Sequence, residues 1–357
     1  MRVSVNIPTY NRAHLIRHAL DSVLRQTYTN YEIVVIDDGS TDATRAVVAE
    51  YGDRVRYFSQ PNGGLGVARN AALMQSTGDC IAFLDSDDEW FDFKLELQVQ
   101  ALERLPHIGF LFTEFVILKD DGTRIRHGSR TWLAAQQDWS SIYSRKQSAE
   151  SIGLHPSSVR QGFEIYTGGM YRQFMDEALV LPTTAIVRRD AIGSLRFTER
   201  MKIFEDWEFF AELSRSSQGA FLDVETAINR GHSGPERLTR CDGLSKAQCY
   251  LDMLERVWMR DAEFAKDFPR ELRERSTDAV LAVAREAVLA SRPDVARQIL
   301  KRAEPHLEKQ KRTAALAYSL VANVPGGRNI LRSALLSRRL LQAIANGSGS
   351  SKVNPAA

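Results

Sequence analysis

Cys80-Ile81-Ala82-Phe83-Leu84-Asp85-Ser86-Asp87-Asp88-Glu89-Trp90 decides how this chain is read. An apolar run passes directly into three carboxylates, Asp85, Asp87 and Asp88. A short apolar run of this kind predicts a strand buried on both faces, as in a parallel sheet. Carboxylates crowded at its exit repel one another, a cost that a cation offsets. Asp85 and Asp87 are spaced to approach one ion, and their hard oxygen ligands suit Mg²⁺ or Mn²⁺. An acidic turn without a metal accounts for the same residue types, because Asp and Ser are common in turns.

Working outward, Val3, Val5 and Ile7 alternate with polar residues until Pro8 ends the run, which predicts a first strand and a turn over Pro8-Thr9-Tyr10-Asn11-Arg12. Ile16, Ala19, Leu20 and Val23 recur with helical period. Ile33 to Ile36 predicts a second buried strand, and it too ends in acid, at Asp37-Asp38-Gly39-Ser40-Thr41-Asp42, with Ser40 or Thr41 placed to cap the next helix. A third strand covers Val55 to Phe58, and the loop Pro61-Asn62-Gly63-Gly64 opens a further helix through Ala68 and Ala72. Strands alternating with helices imply a doubly wound, mostly parallel sheet flanked by helices. Such sheets bind ligands outside the carboxyl ends of their strands, so the three polar clusters are expected on one rim.

Beyond Leu105 the pattern predicts strands over Gly109 to Leu118, Ala178 to Val187 and residues 219–228, with a helix starting at Phe204-Glu205-Asp206. Residues 120–178 are polar and irregular but carry Trp132, Trp139, Tyr143, Tyr166 and Tyr171, suited either to stacking on a ligand or to a satellite core. From about Leu244 the periodicity is helical. The expected organisation is a catalytic domain over 1–240, an all-helical region over 241–345 and a disordered Gly/Ser/Pro-rich tail over 346–357. Leu331 to Leu341 forms a basic amphipathic pattern, suited to a solvated face or to a membrane surface or partner.

Composition limits the function classes. The 357 residues are 43% hydrophobic and 26% charged, as in a globular protein with a full core, and the net charge of +2 argues against nucleic acid. The three cysteines have no paired spacing, which suits a reducing compartment. The first residues lack a signal-peptide core and no apolar stretch reaches the roughly 20 residues of a membrane span. The expected location is cytoplasmic, with a peripheral place at the inner membrane face left open.

The ordered set Pro8-Thr9-Tyr10-Asn11-Arg12, Asp37-Asp38-Gly39-Ser40-Thr41-Asp42, Asn62-Gly63-Gly64 with Ala68-Arg69-Asn70, Asp85-Ser86-Asp87, Glu205-Asp206 and Arg230-Gly231-His232 resembles the family 2 inverting glycosyltransferases over residues 1 to 240. The resemblance implies a GT-A fold and transfer of a single sugar, as a hexosyltransferase, from a UDP- or dTDP-linked donor to an acceptor hydroxyl of a glycan or lipid-linked acceptor. It places Pro8, Thr9, Tyr10, Arg12, Asp38, Arg69, Asp85 and Ser86 at the nucleotide. It places Asp87 on a Mg²⁺ or Mn²⁺ ion, with Asp85 and His232 as further candidate ligands. The acceptor-side base falls at Asp206, with Glu205 as its competitor. The residues leave alternatives standing: Arg69 in a structural ion pair with a rim acid, Glu205-Asp206 as an ordinary acidic first turn, and Asp88 as a sharer of the metal. The Gln-x-x-Arg-Trp motif of processive synthases is absent. A sugar-phosphate nucleotidyltransferase and a non-catalytic nucleotide-sugar scaffold are the rival readings.

Overall fold

Strand β1 (Val3–Thr9) is buried along its whole length and forms the axis of the first of two units, Met1–Arg240 and Cys241–Ala357. The computed structural model describes all residues except 133–138, 140–141, 155–161, 232–240, 304–311, 325–326 and 336–357. After β1 come α1 (Ile16–Leu24), β2 (Tyr31–Asp37), α2 (Thr44–Ala49), β3 (Arg56–Ser59), α3 (Leu65–Gln75) and β4 (Cys80–Phe83). β1 pairs in parallel with β2 on one side and β4 on the other, and β2 pairs in parallel with β3. The chain therefore winds outward to β3 and then returns across β1. That reversal, between β1 and β4, opens a crevice beyond their carboxyl ends.

The two sheet faces explain the unbroken apolar runs. Val3, Val5, Ile7, Ile33 and Val35 pack with Ile16, Leu20 and Val23 of α1. On the other face Val34 and Ile36 pack with Ala68 and Ala72 of α3. A strand with a helix on each face has no side to leave polar.

The rest of the unit comprises β5 (Glu89–Trp90), α4 (Lys94–Arg104), β6 (Ile108–Lys119), β7 (Arg124–Ile125), α5 (Ser129–Trp132), β8 (Arg145–Ser148), β9 (Glu164–Gly168), α6 (Tyr171–Phe174), β10 (Ile186–Arg188), α7 (Arg189–Ile192), α8 (Glu205–Ser216) and β11 (Gln218–Gly231). The strand order is β3-β2-β1-β4-β10-β6-β11-β9-β8, with β5 on β11 and β7 on β6. β10 is antiparallel to both β4 and β6, whereas β6 and β11 are parallel. The sheet is mixed and mostly parallel.

One expectation needs correction here, and one pair of alternatives is decided. The apolar stretch 178–187 is not one strand: Pro182 opens a 3₁₀ turn over Pro182–Thr184, and only Ile186–Arg188 joins the ladder. Proline lacks the N–H that a central strand must donate. The aromatic segment is partly ordered into β8 and β9, and Trp139, Tyr143 and Tyr166 are buried. The Trp139 ring lies 4.2 Å from Phe221 of β11, so these three rings form a satellite core on the sheet and present no open face to a sugar.

The second unit comprises α9 (Gly243–Val257), α10 (Ala262–Asp267), α11 (Pro269–Leu289), α12 (Pro293–Ala303) and α13 (Arg312–Ala322). Its boundaries follow ordinary capping chemistry. Asp242 accepts from Ser245 N at 2.9 Å, Asp261 accepts from Phe264 N at 3.1 Å, and Pro269 opens α11. Leu251, Leu254, Trp258, Val283 and Ala287 are buried within it. Of the basic amphipathic stretch, residues 331–335 are helical, whereas 336–341 and the tail over 346–357 lie outside the described residues. No helix among the described residues is long and apolar enough to cross a membrane.

Candidate functional site

The turn leaving β1 and the loop leaving β2 are sewn together. Asn11 adopts φ 52, the left-handed region, and its Oδ1 accepts from Thr41 N at 2.8 Å. In return Asn11 N donates to Ser40 Oγ at 2.9 Å, Arg12 N to Thr44 Oγ1 at 2.9 Å and Ala13 N to Asp42 Oδ2 at 3.0 Å. Ser40 and Thr41 are thus spent on Asn11 and do not cap the next helix. α2 starts only at Thr44, whose N–H donates to Asp42 Oδ1 at 2.9 Å. Pro8 and Thr9 are buried at the end of β1, whereas Tyr10 is 45% exposed at the rim.

Asp37 and Asp38 are both buried and both engaged by the protein. Asp37 accepts from Ser40 N at 2.8 Å and from the Tyr57 hydroxyl at 2.6 Å. Asp38 accepts from Gln60 Nε2 at 2.7 Å, Gly63 N at 3.0 Å and Gly64 N at 2.8 Å. Its carboxylate therefore shapes the loop before α3. That loop needs its glycine: Gly64 sits at φ 93, where a side chain is strained.

At the end of β4 the three acids divide. Asp88 is 1% exposed; it accepts from Thr183 Oγ1 at 2.6 Å, Asn229 Nδ2 at 3.0 Å and Arg230 N at 3.0 Å. Burial pushes its carboxyl well up, with Asp87 and Asp85 adding to the push. All of its reach is directed into the protein, joining the loop after β4 to the end of β11. Asp85 and Asp87 remain 26% and 24% exposed, and Arg12 Nε approaches Asp87 at 4.0 Å. Ser86 between them is buried.

Arg69, on the first turns of α3, is 2% exposed and forks between two acids. It donates to Asp85 Oδ1 at 2.9 Å and to Glu205 Oε1 at 2.7 Å, and its guanidinium stacks 5.5 Å from the Phe197 ring. It makes the structural ion pair weighed from the sequence. Burial pushes Asp85 up, against the pull of Arg69. Burial followed by the adjacent Asp206 charge also pushes Glu205 up, to about 8. Glu205 is itself buried, whereas its neighbour Asp206 is half-buried in the first turn of α8. Phe204, at φ 69, makes the sharp entry into α8, and adjacent helical positions lie about 100° apart around its axis.

Arg230 pairs with Glu89, its Nε lying 2.7 Å from Oε1. His232 lies outside the described residues. Two contributors escaped the sequence reading. Thr183 holds both Asp88 and the Asp85 N–H (3.2 Å), and Asn229 holds Asp88. Thr183 has no local motif around it. Asn229 precedes Arg230-Gly231-His232, so its position was the available signal.

Residues 4–193, more than half of the chain, match the model of Glycosyl transferase family 2. The chain is 40% identical over 121 residues to the Escherichia coli UDP-Glc:alpha-D-GlcNAc-diphosphoundecaprenol beta-1,3-glucosyltransferase WfgD, covering 33% of this chain and 47% of that enzyme. It is 40% identical over 126 residues to the putative teichuronic acid biosynthesis glycosyltransferase TuaG of Bacillus subtilis, covering 34% and 49%. The chain thus spans less than half the length of these relatives. Among solved structures, S. aureus TarS 1-349 in complex with UDP-GlcNAc superposes with a TM-score of 0.52 at 20% identity, over 93% of this chain and 84% of that one. The mannosyltransferase PcManGT from Pyrobaculum calidifontis, in complex with GDP-Man and Mn²⁺, gives a TM-score of 0.50 at 17% identity, over 98% and 88%. At these identities the likeness shows the fold, a GT-A-type sheet with a helical region following it.

Proposed function

Because the chain belongs to glycosyl transferase family 2, we propose that it transfers one hexose, with inversion, from a UDP-sugar to a hydroxyl of a surface-glycan precursor. The observation that carries this reading is the grouping of Asp85, Arg69 and Glu205, with Asp206 beside them, at the crevice between β1 and β4. It joins a strand end suited to a donor with a helix start suited to an acceptor. A dTDP-linked donor offers the same imide edge and is the alternative.

Tyr10, Thr9 and Arg12 line the nucleoside side, and Asp38 fixes the loop against which the base sits. Asp87 and Asp85 are the residues that fit a Mg²⁺ or Mn²⁺ ion, being hard carboxylates left partly open to solvent while Asp88 is consumed by Thr183, Asn229 and Arg230. Such an ion supplies neutralisation of the charge that builds on the departing diphosphate. Asp206 accepts the proton of the acceptor hydroxyl. The hydroxyl oxygen then attacks the anomeric carbon from the face opposite the diphosphate, which leaves with its bonding electron pair. Glu205, buried and held by Arg69, belongs to the wall of the site and leaves the proton to Asp206.

The WfgD name specifies an acceptor on diphosphoundecaprenol, and a lipid-linked acceptor is proposed here too. A peripheral seat on an anionic membrane suits this acceptor, supported by exposed Leu316 and Leu320 on α13 and by Arg297, Lys301 and Arg302 along α12.

A thermal-shift screen of UDP- and dTDP-sugars, with and without Mn²⁺, tests the reading, since ligand binding raises the melting temperature by mass action. A UDP-sugar shift that needs Mn²⁺ is expected. Indifference to every nucleotide sugar overturns it.

A further inference from the structure

Away from the rim, Glu114 of β6, Asp223 of β11 and His127 in the turn after β7 bring one ligand atom each to within 4.8 Å of one another. Local backbone features place them there. β11 shifts register against β6 between Leu222 and Glu225 and again between Glu225 and Ala227, and such bulges re-aim side chains. His127 stands at φ 52, a left-handed conformation that costs a non-glycine residue on the order of 1 kcal/mol. It is held there by its N–H on Glu225 Oε1 at 2.9 Å and by Gly128 N on Phe115 O at 2.8 Å.

The result is two polar atoms brought close together without bonding. His127 Nδ1 and Asp223 Oδ1 are 3.8 Å apart, both shut off from solvent, and neither has a hydrogen-bond partner. That gap is too long for a hydrogen bond. It matches two ligands each about 2.0–2.2 Å from a common ion. Glu114, fully buried, adds a carboxylate whose other contacts are the Ser129 hydroxyl, the Ser129 N–H at 3.3 Å and the Phe115 N–H at 3.4 Å. Burial pushes Glu114 up, and Asp223 adds to this. Of the nearby cations, Arg126 pairs with Glu225, whereas Arg130 reaches Asp223 through Oδ2 at 3.4 Å and leaves Oδ1 to face His127.

We propose that Glu114, His127 and Asp223 form a second cation site, taking a borderline divalent ion of the Zn²⁺ class and stapling the β11 bulge to β6. One imidazole nitrogen with two carboxylates suits such an ion better than Mg²⁺ or Ca²⁺, which prefer all-oxygen shells. The donor-side ion at Asp85 and Asp87 is a separate matter. No nitrogen ligand among the described residues joins that pair.

Calorimetric titration of the EDTA-stripped, tag-free full chain with ZnCl₂ tests the site, alongside melting temperature. One equivalent of Zn²⁺ and a raised melting temperature are expected. His127→Ala and Asp223→Asn should each weaken Zn²⁺ binding on the order of 10–100-fold, while Mn²⁺-dependent UDP binding by both variants stays at the wild-type level. Both side chains are partly exposed, and the circular dichroism of each variant should match the wild type. As a readout independent of any variant, crystals of the Zn²⁺-soaked wild type should give an anomalous peak between the three side chains. No Zn²⁺ uptake, or an isotherm unchanged in the His127→Ala/Asp223→Asn double variant, overturns the proposal.

Discussion

Asp37-Asp38, after β2, and Asp85-Ser86-Asp87-Asp88, after β4, look alike as sequence, yet the protein treats them differently. The β2 pair is consumed: between them the two carboxylates take donors from Ser40, Tyr57, Gln60, Gly63 and Gly64. The β4 group is split, with Asp88 buried against Thr183 and Asn229, and with Asp85 and Asp87 left about a quarter exposed. An acid supplied with enough donors builds structure. One that keeps part of its surface open to solvent can hold charge for a ligand. Burial separates these roles, and the density of acids does not.

The largest effect expected along this contrast belongs to Asp206, which like Asp85 and Asp87 keeps solvent access. Asp206→Asn should lower turnover on the order of 10²–10⁴-fold, the usual worth of a general base, with UDP affinity unchanged by calorimetry. Unchanged turnover would remove Asp206 from the mechanism. Next in size is the direct comparison of the two acid groups. Asp38→Ala strips three donors of their acceptor and should cost about 3 kcal/mol in urea unfolding. Asp87→Ala should barely move the unfolding midpoint but weaken Mn²⁺-dependent UDP binding. An exchange of these phenotypes between the two variants would remove the contrast between the buried and the half-open acid.

The smallest effect is a pH dependence, at a third acid of the consumed kind. Burial of Glu32 by itself would raise its carboxyl, but donors from Ser4, Thr77 and Arg56 outweigh it and hold the group at about 2 in place of 4.5. A depressed folded-state value means that the stabilisation is complete above about pH 4.5 and fades as pH falls toward about 2. Glu32→Gln should therefore flatten the acid limb of a stability profile in that window. A profile identical to the wild type would show that the donors contribute nothing to linkage.

The alternating strands and helices through β4 were legible because β2 and β4, buried on both faces, leave unbroken apolar runs, and β1 alternates up to its proline. The rim was legible for the same reason: where burial stops, polar residues crowd. β10 was not, since three residues inserted antiparallel between β4 and β6 owe their place to distant partners and have no period of their own. The burial of Trp139, Tyr143 and Tyr166 was equally hidden, because an aromatic residue reads alike whether it packs on Phe221 or waits for a sugar. Arg69 shows the limit within the site. Its two acids, Asp85 and Glu205, lie 16 and 136 positions away, so no local pattern could choose between nucleotide and ion pair.

That same separation sets a timetable for biosynthesis. A ribosome adding roughly 5–20 residues per second needs about 7–27 s to make the 136 positions between Arg69 and Glu205. Until then the nascent sheet carries a guanidinium that has Asp85 but lacks its second anchor, and the wall between β4 and α8 cannot close. The early strands can pair as they emerge, but the crevice acquires its final shape only when α8 arrives. Synonymous codon changes that slow or hasten translation between these two points would alter how long the half-built pocket is exposed to chaperones and proteases.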